Sequence, residues 1–375
     1  MESTLTQAAA GIISKSGRHA PADAVLRDTL RKSRFEPEEK RNIAESVFTF
    51  FRWFGLLDRR RPLGRQIREA AELNERFWHS PASFTAEELA TALPDWVGRF
   101  APITPEWLAV LQGGPRLWLR ARREFLEDLS RRFGAKAYPS KHYPSCALPY
   151  HGVEDLFHTI EFRDGQFEIQ DVSSQAVGWL AAPGPGETWW DCCAGEGGKT
   201  LHLADLMEGR GLIWSTDAAE WRLARLRKRA ARAKAFNYRA ALWDVRSGRL
   251  PTKTRFDGIL VDAPCSGIGT WQSNPHARWT TTPEDVAELA ELQSLLLGSV
   301  AKSLKPGGKL VYAVCTMTSS ETLEVAARFE QQFPEFERLP QARPFLSAGS
   351  AAQHLVWPQN SGGNGMFIAV WRNIK

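Results

Sequence analysis

The chain has 375 residues, 43% of them apolar and 24% charged, proportions that fit two or three globular domains and exclude disorder or a collagen-like repeat. The opening segment MESTLTQAAAGIISKSGRHA lacks an apolar run of signal-peptide length. No stretch approaches the roughly 18 apolar residues that span a bilayer, so neither secretion nor a membrane partner is expected. Five cysteines (Cys146, Cys192, Cys193, Cys265, Cys315) form an odd set with no C-x-x-C pair. That argues against a disulfide framework or a structural zinc site and predicts the reducing cytoplasm, with no metal.

Charge is unevenly placed. Residues 1–150 carry 24 Lys and Arg against 18 Asp and Glu, and residues 151–375 carry 24 against 25. A basic appendage on a near-neutral body suits a polyanionic partner, and a solvated Arg-rich helix face is the plain alternative.

From Ala22 to Leu57 apolar residues recur at helical spacing (Val25, Leu26, Leu30, then Ile43, Val47, Phe50, Phe51, Phe54), with Pro37 suited to a first helical turn. A small helical domain is predicted over 1–80. Another helix follows Arg59-Arg60-Arg61-Pro62, and Pro81, Pro94, Pro102 and Pro105 punctuate short helices beyond it. Residues 81–169 are read as these linker helices plus a small α+β module, with strands near 117–119, 146–149 and 166–170 and a helix at 122–133. Arg116, Arg120, Arg122, Arg123, Arg131 and Arg132 beside Trp118 suit phosphate contact and base stacking, unless Trp118 is core and the arginines are merely solvated.

Over 170–375 strands alternate with helices. Strands are predicted at 188–192, 211–216, 239–243, 256–262 and 308–315, with helices near 174–181, 199–207, 219–234, 284–303 and 320–332. This is an α/β pattern, a doubly wound Rossmann-like and mostly parallel sheet whose ligands bind at the carboxyl ends of the strands. The first strand ends in Asp191 and enters CCAGEGGKT, where Gly195, Gly197 and Gly198 let backbone approach a ligand. A phosphate-binding P-loop would need glycine where Cys193 stands. The next strand ends in Asp217, placed for the ribose hydroxyls of an adenosine-containing ligand, and two more end in Asp244 and Asp262. One such aspartate is commonly a helix cap; four in succession point to a site.

Cys265 and Cys315 each follow a strand at the same edge of the sheet. A lone cysteine is more often a small buried hydrophobe, but two beside an adenosine site suggest a thiolate nucleophile. The Arg-rich run WRLARLRKRAARAKAF is read as a solvated outer face in preference to an RNA contact.

DCCAGEGGKT, VDAPCSG, NPHARW and YAVCT, with QDVSSQ and LKPGGKLVY, resemble in order the motifs of the Sun/Fmu family of RNA (cytosine-5) methyltransferases, over roughly 110–375. Residues 22–57 more weakly resemble the NusB-like helical domain of some members. The resemblance implies an S-adenosylmethionine site formed by Cys193, Ala194, Gly195, Glu196, Gly197, Gly198 and Lys199, with Asp217 on the ribose, Asp244 near the adenine and Asp262 between cofactor and base. It implies Cys315 as nucleophile and Cys265 as the thiol that helps release product. Ribosomal RNA is the implied partner in preference to tRNA, and a monomer is expected. The chain departs from the family where Gly195-Glu196 replaces Ala-Pro, which puts an extra carboxylate in the loop, and in the run Asn364-Gly365-Met366-Phe367. The rival expectation is a non-catalytic RNA-binding or ribosome-assembly factor in which Glu196 spoils cofactor binding.

Overall fold

The computed structural model describes residues 3–137, 146–342, 345 and 350–375. By contacts the chain resolves into two units, one of residues 1–115 with 267–286 and one of 116–266 with 287–375. The boundaries read near 80 and 170 mark changes in secondary-structure pattern. Contacts instead group residues 81–115 with the helices before them and draw an internal segment of the α/β region into the helical unit.

The first unit holds α1 (Thr4–Lys15), α2 (Ala22–Lys32), α3 (Pro37–Trp53), α4 (Leu63–His79), α5 (Ala86–Ala90) and α6 (Pro105–Gln112). The predicted second helix is α3. Pro37 opens it, a reciprocal Glu36 and Glu39 capping box satisfies its first amides, and Ile43, Val47, Phe50 and Phe51 form its buried stripe. Arg278 of the NPHARW motif belongs to this unit and is completely buried. Its guanidinium donates to the carbonyl oxygens of Arg52 (3.3 Å), Ala92 (3.4 Å), Leu111 (2.5 Å) and Trp271 (3.3 Å). One side chain thus satisfies carbonyls at or near the ends of α3, α5 and α6. Arg278→Ala should therefore cost about 3 kcal/mol or more, because it leaves several buried acceptors unpaired. Urea unfolding followed by tryptophan fluorescence checks this; an unchanged midpoint would show that the carbonyls have other donors.

The second unit opens with β1 (Leu117–Ala121), α7 (Leu126–Phe133), β2 (Ala147–Tyr150), α8 (Ile160–Arg163) and β3 (Phe167–Ile169), and β1 is the centre of a three-stranded antiparallel sheet. This is the predicted α+β module, but Trp118 is not available for stacking. It is buried on the central strand and its indole N–H donates to the Gly362 carbonyl (2.9 Å). Arg120 is buried too, held by Gln170 and Asp205. A central strand covered on both faces has no solvent side to offer a base.

After α9 (Val172–Ala181) come β4 (Thr188–Asp191), α10 (Gly198–Leu206), β5 (Leu212–Asp217), α11 (Glu220–Arg232), β6 (Tyr238–Leu242), β7 (Phe256–Asp262), α12 (Pro283–Ala301), β8 (Leu304–Val314) and α13 (Leu323–Gln332). The C-terminal part adds β9 (Phe336–Arg338), β10 (Gln341–Ala342), β11 (Ser350–Ala351), β12 (Gln353–Val356), α14 (Pro358–Ser361) and β13 (Met366–Asn373). The main sheet runs in the order β12-β13-β8-β7-β4-β5-β6, with β9 also paired to β13. Strands β4 to β8 are parallel as predicted, and β12 and β13 add antiparallel.

Successive strands leave β4 first toward β6 and then, from β7, toward β8. The carboxyl ends of β4 and β7 therefore flank the point where strand order reverses, the place where such sheets form a crevice. Trp189 and Trp190 of β4 bury one indole on each face of the sheet. Gly258 of β7 lies opposite Trp189, and a Cβ there would sit 2.2 Å from that ring. Among the described residues no helix is long and apolar enough to cross a membrane.

Candidate active site

At the end of β4 the chain passes from Asp191 through Cys192–Gly197 into α10. Gly197 sits at φ +86°, and a Cβ there would lie 2.7 Å from Leu226 Cγ of α11, so a side chain is excluded on both grounds. The Ala194 N–H donates to the Thr216 carbonyl (2.8 Å) and the Gly195 N–H to Asp217 Oδ2 (2.9 Å), which fastens the loop to the end of β5. Asp217 also accepts the Ala219 N–H on Oδ1 (2.9 Å). Cys193 is half-buried, packed against the core, and Gly198 begins α10.

Asp191, below this loop, is completely buried. Its Oδ2 accepts the Thr200 hydroxyl (2.7 Å), and among the described residues its Oδ1 has no hydrogen-bond partner. Burial pushes its carboxyl up to about 7. Glu196, the residue foreign to the family pattern, turns its carboxylate to Arg225 of α11 (2.5 Å), while Arg229 donates to its carbonyl (3.1 Å). The extra charge is thus neutralised on α11. Other arginines of that helix are also engaged: Arg229 and Arg232 hold the buried Glu168 of β3, so this face is only partly solvated.

Lys199 follows Gly198 and is buried with Nζ 2.6 Å from Asp262 Oδ2. Burial by itself would lower the ammonium's pKa; Asp262, with Cys315 and Asp191, outweighs it and holds the pKa above the ordinary lysine value. Past β7 and β8, the Cys265 and Cys315 sulfurs approach to 3.3 Å, both residues half-buried. The hydrogen bond with Cys265 lowers the Cys315 thiol below its usual range, helped by Lys199 and opposed by burial and Asp262. The parallel register pairs Asp262 with Ala313, so strand ends that lie 50 residues apart in sequence bring the thiols and the Lys199–Asp262 pair to one edge. Asp244 follows β6 beside Asp217, where the Trp243 N–H donates to the Asp217 carbonyl (3.0 Å). Asp244 itself is exposed, and its carboxylate caps a local turn through the Arg246 N–H (2.9 Å).

Glu321 was not read from the sequence. It is completely buried beneath the two cysteine loops and accepts hydrogen bonds from Ser266, Thr316, Thr318 and Gln293. Its only signal is an acidic residue closing the hydroxyl-rich run T-M-T-S-S-E after Cys315.

Known proteins resemble this chain in sequence and fold to different extents. The family model described as 16S rRNA methyltransferase RsmB/F matches residues 178–372, more than half of the chain. A probable ribosomal RNA small subunit methyltransferase B of Bacillus subtilis is 38% identical over 220 residues, 56% of this chain and 48% of that protein. The chain spans about half the length of the curated relatives it matches first. Among solved structures, a methyltransferase homolog protein from Pyrococcus horikoshii aligns at a TM-score of 0.61 with 28% identity, covering 72% of this chain and 90% of that one. The crystal structure of NSun6 from Pyrococcus horikoshii with SFG has the same fold, at a TM-score of 0.64 and 19% identity over 77% of this chain and 97% of that one. The region that matches the family model holds the glycine loop, the Lys199–Asp262 pair and both thiols, and on that match the chain belongs to the RsmB/F family of 16S rRNA methyltransferases, the Sun/Fmu family its motifs resemble.

Proposed function

We propose that this chain transfers a methyl group from S-adenosylmethionine to carbon 5 of a cytosine in RNA, small-subunit ribosomal RNA being the substrate, through a covalent adduct with Cys315. The observation that carries this reading is the pair of thiols 3.3 Å apart at the strand ends that also present Asp262.

The residues present fit the cofactor. Gly195 and Gly197 keep side chains out of the loop, and the orphaned buried Asp191 Oδ1 is an acceptor suited to the cofactor's ammonium group. When bound, S-adenosylmethionine supplies an electrophilic methyl group. The loop from Cys193 to Lys199 would hold it with Asp217 and Asp244. Ionised Asp191 favours a cation, so affinity for S-adenosylmethionine should rise about eightfold from pH 6 to pH 7.5 as this carboxyl loses its proton near 7. Calorimetric titration checks this, and a flat profile would remove Asp191 from the site.

Carbon 5 of cytosine becomes nucleophilic only after a thiolate adds to carbon 6. The lowered Cys315 thiol suits that addition at neutral pH. Asp262 offers an acceptor and Lys199 a donor for the polar edge of the ring. Release then requires loss of the carbon 5 proton and return of the carbon 6–sulfur electron pair to Cys315, with Cys265 adjacent to the departing sulfur. The rival reading, a non-catalytic assembly factor, relied on Glu196 disturbing the loop. Its engagement by Arg225 takes that support away. Bisulfite sequencing of an unmodified small-subunit rRNA transcript incubated with the protein and S-adenosylmethionine tests the proposal. A protected cytosine is expected, and a transcript left wholly convertible would overturn it.

A further inference from the structure

Resting on the two-thiol reading above, we propose that Glu321 is the positioning residue of the pair, its carboxylate tying the loop of Cys265 to the loop of Cys315 and holding the sulfurs within reach of each other. The parallel ladder of β7 and β8 runs only to Asp262 and Ala313, and both thiols lie beyond it. Glu321 takes over where the ladder stops. Its Oε1 accepts the Ser266 N–H (2.8 Å) and the Gln293 amide of α12 (3.1 Å). Its Oε2 accepts the hydroxyls of Ser266 (2.5 Å), Thr318 (2.8 Å) and Thr316 (3.2 Å).

Ser266 follows Cys265 and Thr316 follows Cys315, so each thiol is one residue from the clamp. The two hydroxyls also meet each other at 2.8 Å. Behind the clamp, Tyr312 donates to the Glu321 carbonyl (2.6 Å) and to Gln293 (2.9 Å), while Gln293 also holds the Pro264 carbonyl (2.9 Å). All five donors to the carboxylate are neutral. A buried carboxylate without a cation is expensive, and an apolar side chain would fill the space more cheaply. What the carboxylate adds is a fixed set of acceptors spanning two loops, which matters where sulfur positions must be held closely.

The separation bears most on release. In that step Cys265, having given up its own thiol proton to solvent, acts as the base: the carbon 5–hydrogen bond breaks and its proton passes to the Cys265 sulfur. The freed pair restores the carbon 5–carbon 6 double bond, and the carbon 6–sulfur pair returns to Cys315. Of the two sulfurs, addition forms its bond through Cys315, whereas release needs both in register.

The test uses the full chain carrying Glu321→Gln, with two readouts. Dibromobimane becomes fluorescent only when two thiols displace both of its bromides. With Cys265→Ala as blank, the bridging rate should fall at least about tenfold. On the rRNA transcript with S-adenosylmethionine, a protein–RNA adduct stable to denaturing electrophoresis should accumulate while cofactor affinity holds. Bridging and turnover both at wild-type rates would overturn the proposal. So would a variant that loses turnover, still binds cofactor and forms no adduct, because its defect would lie outside release. Reduced bridging in a chain whose wild type methylates no RNA would keep the clamp and sink the functional reading instead. Should Glu321→Gln fail to fold, Thr318→Val removes one donor at nearly constant shape. It should slow bridging about threefold, and an unchanged rate counts against the clamp.

Discussion

Cys315→Ala should abolish methyl transfer, by at least about 10³-fold, while S-adenosylmethionine still binds. Cys315 is the thiol whose surroundings favour the thiolate: its hydrogen bond with Cys265 lowers it and the buried Lys199 ammonium adds positive charge nearby. Alanine removes the group that adds to carbon 6 and leaves the glycine loop, Asp217 and the Lys199–Asp262 pair in place. Binding and chemistry should therefore separate, with little change in cofactor dissociation constant and turnover near zero. Serine would restore shape without restoring the reaction, since a hydroxyl at neutral pH is a far weaker nucleophile than a thiolate. A Cys315→Ala protein that methylates at the wild-type rate would show that the reaction proceeds without this nucleophile.

The dependence on one sulfur also shows what sequence pattern can and cannot carry. Strands β4 to β8 were legible because most are apolar runs closed by aspartate or cysteine, and because helices separate them. The edge that bears Asp262, Cys265 and Cys315 followed from that alternation alone. The later strands escaped because MFIAVW is buried on both faces and shows no period, and because it enters antiparallel after the one-turn helix α14 and the loop that follows it. Helix α1 lies inside the helical domain predicted over 1–80, although its own stripe of Ala9, Ile12 and Ile13 is too short to single it out. At Trp118 the sequence leaves two readings open, and the core one is borne out. Arginine beside tryptophan is the composition of an RNA platform and equally that of a buried strand whose charges pair inward, and only the fold distinguishes them.

Partnership was the hardest feature to read. Lys199 and Asp262 are 63 residues apart, Ser266 and Glu321 are 55 apart, and neither pair has a local spacing to betray it. Arg278 sits in a motif named for its sequence, yet its role in the helical unit depends on carbonyls supplied near residues 52, 92 and 111. Single residues with distinctive chemistry show in a sequence. The polar groups that satisfy them are common residues, and they acquire meaning from strand order and register.

Cys265→Ala should trap the protein on its RNA. Addition and methyl transfer draw on Cys315, Lys199 and Asp262, all of which remain. Once the methyl group is on carbon 5, the thioether at carbon 6 leaves only when the remaining carbon 5 proton is removed. The 3.3 Å contact places Cys265 beside the sulfur that must depart. Loss of this thiol should slow turnover by about 10²-fold, the scale of a missing proton-transfer group, while an adduct builds toward one equivalent. Because alanine also removes the hydrogen bond that lowers the Cys315 thiol, the rate of adduct formation should shift toward higher pH, and trapping is best read near pH 8. Denaturing electrophoresis of labelled transcript measures the adduct directly. The double variant lacking both thiols should form none, which separates covalent trapping from tight binding. If Cys265→Ala turns over normally and Cys315→Ala forms the adduct instead, the roles of the two cysteines are reversed.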